Sequence, residues 1–152
     1  LLLKILSEQG YRVRPVTEGD MAITAAQLDP PDLILLDIQM PGMNGYEVCE
    51  KIKDDEDTED IPIIFLSALS DTKDIVKGFE VGGVDYVSKP FKYREVLARV
   101  ESQLALAQQR EEIEALREQD KQQFDTLSEL RSKFLHGTVH HHTLYKKVGS
   151  GI

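Results

Sequence analysis

Tryptophan is absent, cysteine occurs once, and basic residues number 18 against 27 acidic ones. The lone Cys49 excludes an internal disulfide and fits a reducing compartment. It falls with Val48 and Ile52 in a helical pattern, so a packed thiol is expected rather than a reactive one. The net charge of −9 leaves no broad basic surface, and nucleic acid is not expected as a direct partner of this stretch. No apolar run approaches the roughly 20 residues that a membrane helix needs. Leu1-Leu2-Leu3-Lys4-Ile5-Leu6 is too short for a signal peptide and has no cleavage site, so a cytoplasmic location is expected. There is no initiator Met, and the chain is expected to begin inside a longer protein.

What is present is an alternation of helical and strand-like patterns. Leu2, Leu3, Ile5 and Leu6 have helical spacing up to Gly10. Tyr11 to Val16 alternates, which predicts a strand near a sheet edge where Pro15 is tolerated. A second helix starts after Thr17-Glu18-Gly19-Asp20 and ends at Asp29-Pro30-Pro31, because the residue before a proline is driven out of the helical region. Leu33-Ile34-Leu35-Leu36-Asp37 is a continuous aliphatic run, the pattern of a strand covered on both faces. A third helix is predicted from about Asn44 to Asp54, a second buried strand from Pro62 to Ser67, a helix from Asp71 to Val81 and a last strand from Val84 to Ser88. The acidic run 54–60 lacks the glycine and glutamate spacing of a calcium loop and reads as a solvated connection. Strict alternation with short loops implies right-handed βαβ units and an α/β, doubly wound parallel sheet.

In such sheets ligands bind at the carboxyl ends of the strands. Those ends carry Asp37, Ser67 and Lys89. Taken alone, Asp37 before Met40-Pro41-Gly42 could be a turn former, Ser67 a strand terminator and Lys89 a surface lysine. Together they describe a site for an anionic tetrahedral group. The carboxylate can attack phosphorus, the ammonium can offset charge on the transferred oxygens, and the hydroxyl can hydrogen-bond one of them. A divalent ion such as magnesium would normally assist.

These residues resemble the receiver domain of two-component response regulators. The resemblance is carried by Asp37 followed by Met40-Pro41-Gly42-Met43-Asn44-Gly45, by Ser67-Ala68 and by Lys89-Pro90-Phe91, about 30 and then 22 residues apart. It runs from Leu1 to about Gln103. It implies a flavodoxin-like fold with strand order 2-1-3-4-5 and phosphoryl transfer from a histidine kinase, or a phosphotransfer protein, onto Asp37. By the same resemblance Ser67 is the switch hydroxyl, Tyr86 the switch aromatic that turns inward on phosphorylation, and Lys89 the phosphoryl contact. Pro90 would follow a cis peptide bond, and Asp37 with the backbone carbonyl of Gln39 would be metal ligands for Mg2+. Read from its own pattern, Tyr86 is a half-buried strand aromatic. The family begins with a strand ending in two adjacent acidic residues that hold magnesium, whereas here Leu1 already lies in the first helical pattern. A truncated receiver, expected to bind magnesium weakly as written, is the resulting expectation.

From Tyr93 the pattern is helical for some forty residues. Leu106, Ile113, Asp120, Leu127 and Phe134 recur every seventh position, with Gln109, Leu116, Gln123 and Leu130 at the alternate seam positions. Leu97, Val100, Leu104 and Ala107 form an earlier stripe that is out of phase, as expected of a last helix packing on its own sheet. The expected organisation is a receiver over residues 1–103, a coiled-coil signalling helix over 104–136 pairing as a parallel homodimer, and a disordered or truncated start of another domain over 137–152. Phe134-Leu135 followed by His140 resembles the opening of a histidine-kinase dimerisation helix. His141, His142, Thr143 and Leu144 then depart from that pattern. The functional expectation is a phospho-accepting module that signals through a dimeric helix to an output domain. The receiver part of a hybrid sensor histidine kinase, with His140 opening its dimerisation domain, and a non-phosphorylated receiver-like adaptor are the alternatives. No ATP-binding segment is visible, which leaves open whether the parent protein is an enzyme.

Overall fold

The computed structural model describes the backbone of residues 1–68 and 71–149, and side chains through residue 135. The elements in chain order are α1 (Leu2–Glu8), α2 (Gly19–Leu28), β1 (Ile34–Asp37), α3 (Gly45–Lys53), β2 (Ile63–Ser67), α4 (Thr72–Glu80), β3 (Asp85–Ser88) and α5 (Tyr93–Gly149). The three strands form one parallel sheet in the order β1-β2-β3. Asp37 lies opposite Leu66, and Ser67 opposite Ser88, so the strands end side by side.

Every residue of β2 is buried, and the period of two along it divides them between two faces. Ile63 and Phe65 face a cluster with Leu36, Ile38, Tyr46, Val48, Cys49, Ile52 and Tyr86. Ile64 and Leu66 face a second cluster with Val87, Val96 and Val100, onto which Leu2, Tyr11, Leu35 and Leu104 also pack. One cluster lies beneath α2 and α3, the other beneath α1 and the first turns of α5. The doubly wound α/β arrangement expected from the sequence is therefore present, as is the long C-terminal helix. Burying a ring such as that of Phe65, which is fully enclosed, contributes about 2–3 kcal/mol.

Local chemistry sets the boundaries. Asn44 caps α3, its side-chain oxygen accepting from the Glu47 amide at 3.0 Å. Gly82, at φ +108°, turns the chain between α4 and β3. The acidic run folds back on itself: buried Thr58 donates to the Ile52 carbonyl at 2.7 Å, and Lys53 donates to the carbonyls of Glu59 and Ile61 at 2.8 and 2.6 Å. On the far side of the sheet Arg99 donates to both oxygens of Asp85 at 3.0 Å, tying α5 to the start of β3.

One expected element does not form. Tyr11 to Val16 is not a strand. A strand exists by pairing, and among the described residues β1 pairs only with β2, leaving this segment no ladder to join. Side-chain contacts hold it instead: Tyr11 packs into the second cluster, and Arg14 donates to the Asp29 carbonyl at 2.6 Å and to its carboxylate at 3.3 Å. The chain divides into two compact units, Leu1–Gln108 and Gln109–Ile152. The α5 backbone is helical through Gly149. The side chains of His140, His141 and His142 lie outside the described residues.

Cys49 is fully buried, with its thiol against the Val81 carbonyl at 3.3 Å. Burial pushes it up from its ordinary 9.0 to about 11, with Lys53 opposing and Glu50 adding to the rise. The native state thus holds this proton more tightly than the unfolded chain does. The corresponding stability is complete below pH 9 and lost as pH rises towards 11. Urea midpoints measured across that interval are expected to fall, and to fall less steeply in Cys49→Ala. An unchanged slope in the variant would remove the thiol from this account.

Candidate functional site

The strand ends bring Asp37 and Lys89 into direct contact. The Lys89 ammonium donates to Asp37 Oδ2 at 2.6 Å, and the Gln39 amide donates to Asp37 Oδ1 at 3.0 Å. The pair is accessible, with side chains 38% and 40% exposed for Asp37 and Lys89. Solvent screens such a pair, so its contribution to stability is small and its value lies in placing a cation beside a carboxylate. The Lys89 amide donates to the Ser67 carbonyl at 2.7 Å, which continues the β2–β3 ladder one step past the strand ends. The Lys89–Pro90 peptide bond is cis.

Ser67 is placed differently from the other two. It is fully buried, and its side chain is hydrogen-bonded to that of Tyr86. Tyr86 lies inward in the core, its ring centroid 6.4 Å from that of Phe65, which in turn lies 5.6 Å from that of Tyr46. Burial raises the Tyr86 hydroxyl above its ordinary value; the Ser67 hydrogen bond opposes this and the charge of Asp74 adds to it. Tyr46 is raised as well, by burial first and then by Tyr86 and Asp74. The Tyr46 hydroxyl donates to the Asp74 carbonyl at 3.0 Å, and the Lys77 ammonium lies 4.6 Å from its ring centre. This aromatic row connects the end of β2 to α4. The sequence marked Tyr86, but the row's other members carry no signal beyond hydrophobicity.

Gly45 enters the sequence reading only as a motif residue, and the packing supplies the reason for it. Gly45 opens α3 hard against the backbone that follows Asp37: a Cβ there would lie 2.5 Å from the Asp37 carbonyl oxygen and 2.7 Å from the Ile38 Cα. Its amide donates to the Ile38 carbonyl at 2.9 Å. Gly42, at φ +77°, makes the preceding turn. In the sequence both glycines look like turn residues, and only the packing shows that Gly45 is a close approach.

The fit to magnesium is incomplete. The ligands implied by the resemblance are one carboxylate, Asp37, and one backbone carbonyl, that of Gln39, and among the described residues no group of three or more His, Cys, Asp or Glu side chains could hold a metal ion. This donor set does not make a magnesium site by itself.

With this geometry in view, the comparisons with known proteins are concordant. The family model for the response regulator receiver domain matches residues 1–101, and the chain belongs to that family. It is 42% identical over 104 residues to the DNA-binding response regulator MtrA of Mycolicibacterium smegmatis, covering 68% of this chain and 44% of the relative. It is 41% identical over 102 residues to the response regulator PleD of Caulobacter vibrioides, covering 67% of this chain and 22% of the relative. The chain thus spans less than half the length of these curated relatives. Among solved structures, it resembles the receiver domain of the sensor histidine kinase PA1611 from Pseudomonas aeruginosa, described with a magnesium ion coordinated in the active-site cleft. That match has a TM-score of 0.64 and 31% identity, covering 68% of this chain and 85% of that one. The signal receiver domain of a histidine kinase from Syntrophus aciditrophicus matches with a TM-score of 0.63 and 38% identity, covering 68% of this chain and 79% of that one. No helix among the described residues is long and apolar enough to cross a membrane.

Gly45→Ala is expected to displace the backbone after Asp37 and to destabilise the domain by about 1–3 kcal/mol in chemical denaturation; an unperturbed midpoint would show that the loop yields freely. Tyr46 and Tyr86 are expected to ionise above the ordinary tyrosine value of 10.0 in an ultraviolet titration. Their raised values mean that they add stability below their ordinary 10.0 and lose it as pH rises through the folded-state value. In Tyr86→Phe one late-ionising group should disappear; its persistence would contradict the assignment.

Proposed function

We propose that this receiver accepts a phosphoryl group on Asp37 from a phosphohistidine donor and passes the signal through α5 to an output domain. The observation that carries the reading is the contact between the Asp37 carboxylate and the Lys89 ammonium at the strand ends, 2.6 Å apart and open to solvent. An Asp37 oxygen attacks phosphorus, the P–N bond to the donor imidazole breaks, and its electron pair returns to the imidazole nitrogen. Lys89 offsets charge on the phosphoryl oxygens between ground state and product. Ser67 donates to one of those oxygens, and Tyr86, already hydrogen-bonded to Ser67, carries the change towards α4. Pro90 fixes the turn that presents Lys89. A divalent cation at Asp37 and the Gln39 carbonyl requires further ligands. The signal leaves through a parallel homodimer over 104–136, in a protein working in the cytoplasm with a histidine kinase or phosphotransfer protein as donor.

Two solved relatives are receiver domains of histidine kinases, which favours the hybrid-kinase reading as the second choice. His140 would open the dimerisation helix in that case, and the sequence downstream distinguishes the two. A non-phosphorylated adaptor is the remaining reading.

Radiolabelled acetyl phosphate is expected to label the full-length gene product. The label should be acid-stable and base-labile, be lost in Asp37→Asn, and be reduced at least about tenfold in Lys89→Ala. Label retained in Asp37→Asn would assign the acceptor elsewhere, and an unlabelled parent protein would favour the adaptor.

A further inference from the structure

Along α5, Leu106, Ile113, Leu116, Leu127 and Leu130 are all exposed, and the heptad that contains them fixes the positions of their charged neighbours. With Leu106 and Ile113 at a, Glu112 falls at g and Arg117 at the following e, while Arg110 and Arg131 are further e residues. In a parallel in-register pair, a g residue meets the e residue of the following heptad on the other helix. Glu112 of each copy therefore meets Arg117 of the other, twice by symmetry. An antiparallel pair would set e against e and so place arginine against arginine, Arg117 on its own copy or Arg110 on Arg131 according to register. Among the described residues neither Glu112 nor Arg117 makes an ion pair within its own chain. The charges are thus free to choose the orientation.

The same register has a second consequence. Asp120 occupies an a position and would face its own copy across the seam, with Gln123 in the next layer. Its other neighbours would be Arg117, Lys121 and Phe124 on its own helix, and Leu116, Gln119 and Gln123 on the second copy. Like charges at the centre of a seam oppose pairing, while apolar layers on either side favour it. In this sequence those layers are Ile113 and Leu116 before the break and Leu127 and Leu130 after it.

We propose that a second copy of this chain docks on the 106–134 stripe of α5 in parallel and in register, oriented by reciprocal Glu112–Arg117 pairs and loosened at the Asp120 layer. The proposal rests on the reading of α5 as a parallel paired helix and adds its register, the charge pairs that orient it and its weak point. Sedimentation equilibrium of the full chain tests it, with circular dichroism confirming that each variant is folded. Glu112→Arg and Arg117→Glu are each expected to raise the dimer dissociation constant about tenfold, by replacing two attractions with two repulsions. An equimolar mixture of the two variants should regain wild-type affinity, because the heterodimer restores both attractions. Asp120→Asn should tighten the dimer about tenfold. A wild-type chain that stays monomeric would overturn the paired-helix reading itself. A wild-type dimer indifferent to the charge reversals, or not rescued by mixing, would overturn this register and leave pairing intact. An Asp120→Asn dimer no tighter than wild type would place Asp120 outside the seam.

Discussion

The structure depends on burial of β2 from both sides. Ile63–Ser67 is paired along both edges and covered on both faces, so its backbone is satisfied by the neighbouring strands and its side chains by two separate clusters. The period of two sends Ile63 and Phe65 one way and Ile64 and Leu66 the other. The helices therefore need only present one apolar face each. The strand's position also sets the chemistry: once β2 is fixed, the parallel register brings the ends of β1 and β3 level with its own, and Lys89 reaches Asp37 across them.

The two sides of the sheet are fastened by different means. Beneath α3 and α4 the fit is steric. A Cβ on Gly83 would lie 2.5 Å from the Phe65 ring, and one on Gly78 would lie 3.1 Å from it, so small residues let the aromatic row sit close under the backbone. Towards α5 the fit combines apolar contact from Val96 and Val100 with the Arg99–Asp85 pair. The Arg99 guanidinium is held above its ordinary value chiefly by its hydrogen bond to Asp85, against the opposing effect of burial. Both bonds come from one nitrogen, Arg99 Nη1, and a guanidinium keeps its charge where a lysine would titrate.

Much of this was legible from the chain. Unbroken aliphatic runs announced β1 and β2 because strands covered on both faces have no polar side to display. Parallel order aligns the strand ends, and the carboxylate of Asp37 and the ammonium of Lys89 at those ends are in contact. Tyr11 to Val16 shows where the reading fails: alternation reports which residues suit a strand, but not whether a neighbour exists to pair with them. Gly45 shows a second kind of limit. Its requirement arises from the backbone at Asp37 and Ile38, on the other side of the intervening loop, and a glycine in a loop looks the same whether it turns the chain or makes room for it. The burial of Ser67, against the exposure of Asp37 and Lys89, was likewise invisible in a pattern that records strand ends alone.

The Ser67–Tyr86 contact sets a rule of proton supply. A serine hydroxyl has one proton to give and two lone pairs to offer, and a phenol has the same kind of inventory. When Ser67 directs its proton outward, Tyr86 can still remain bound to it by becoming the donor. A change of partner at the strand ends would then reverse the polarity of a hydrogen bond inside the core without breaking it. Such a reversal requires no movement of the Tyr86 ring against Phe65.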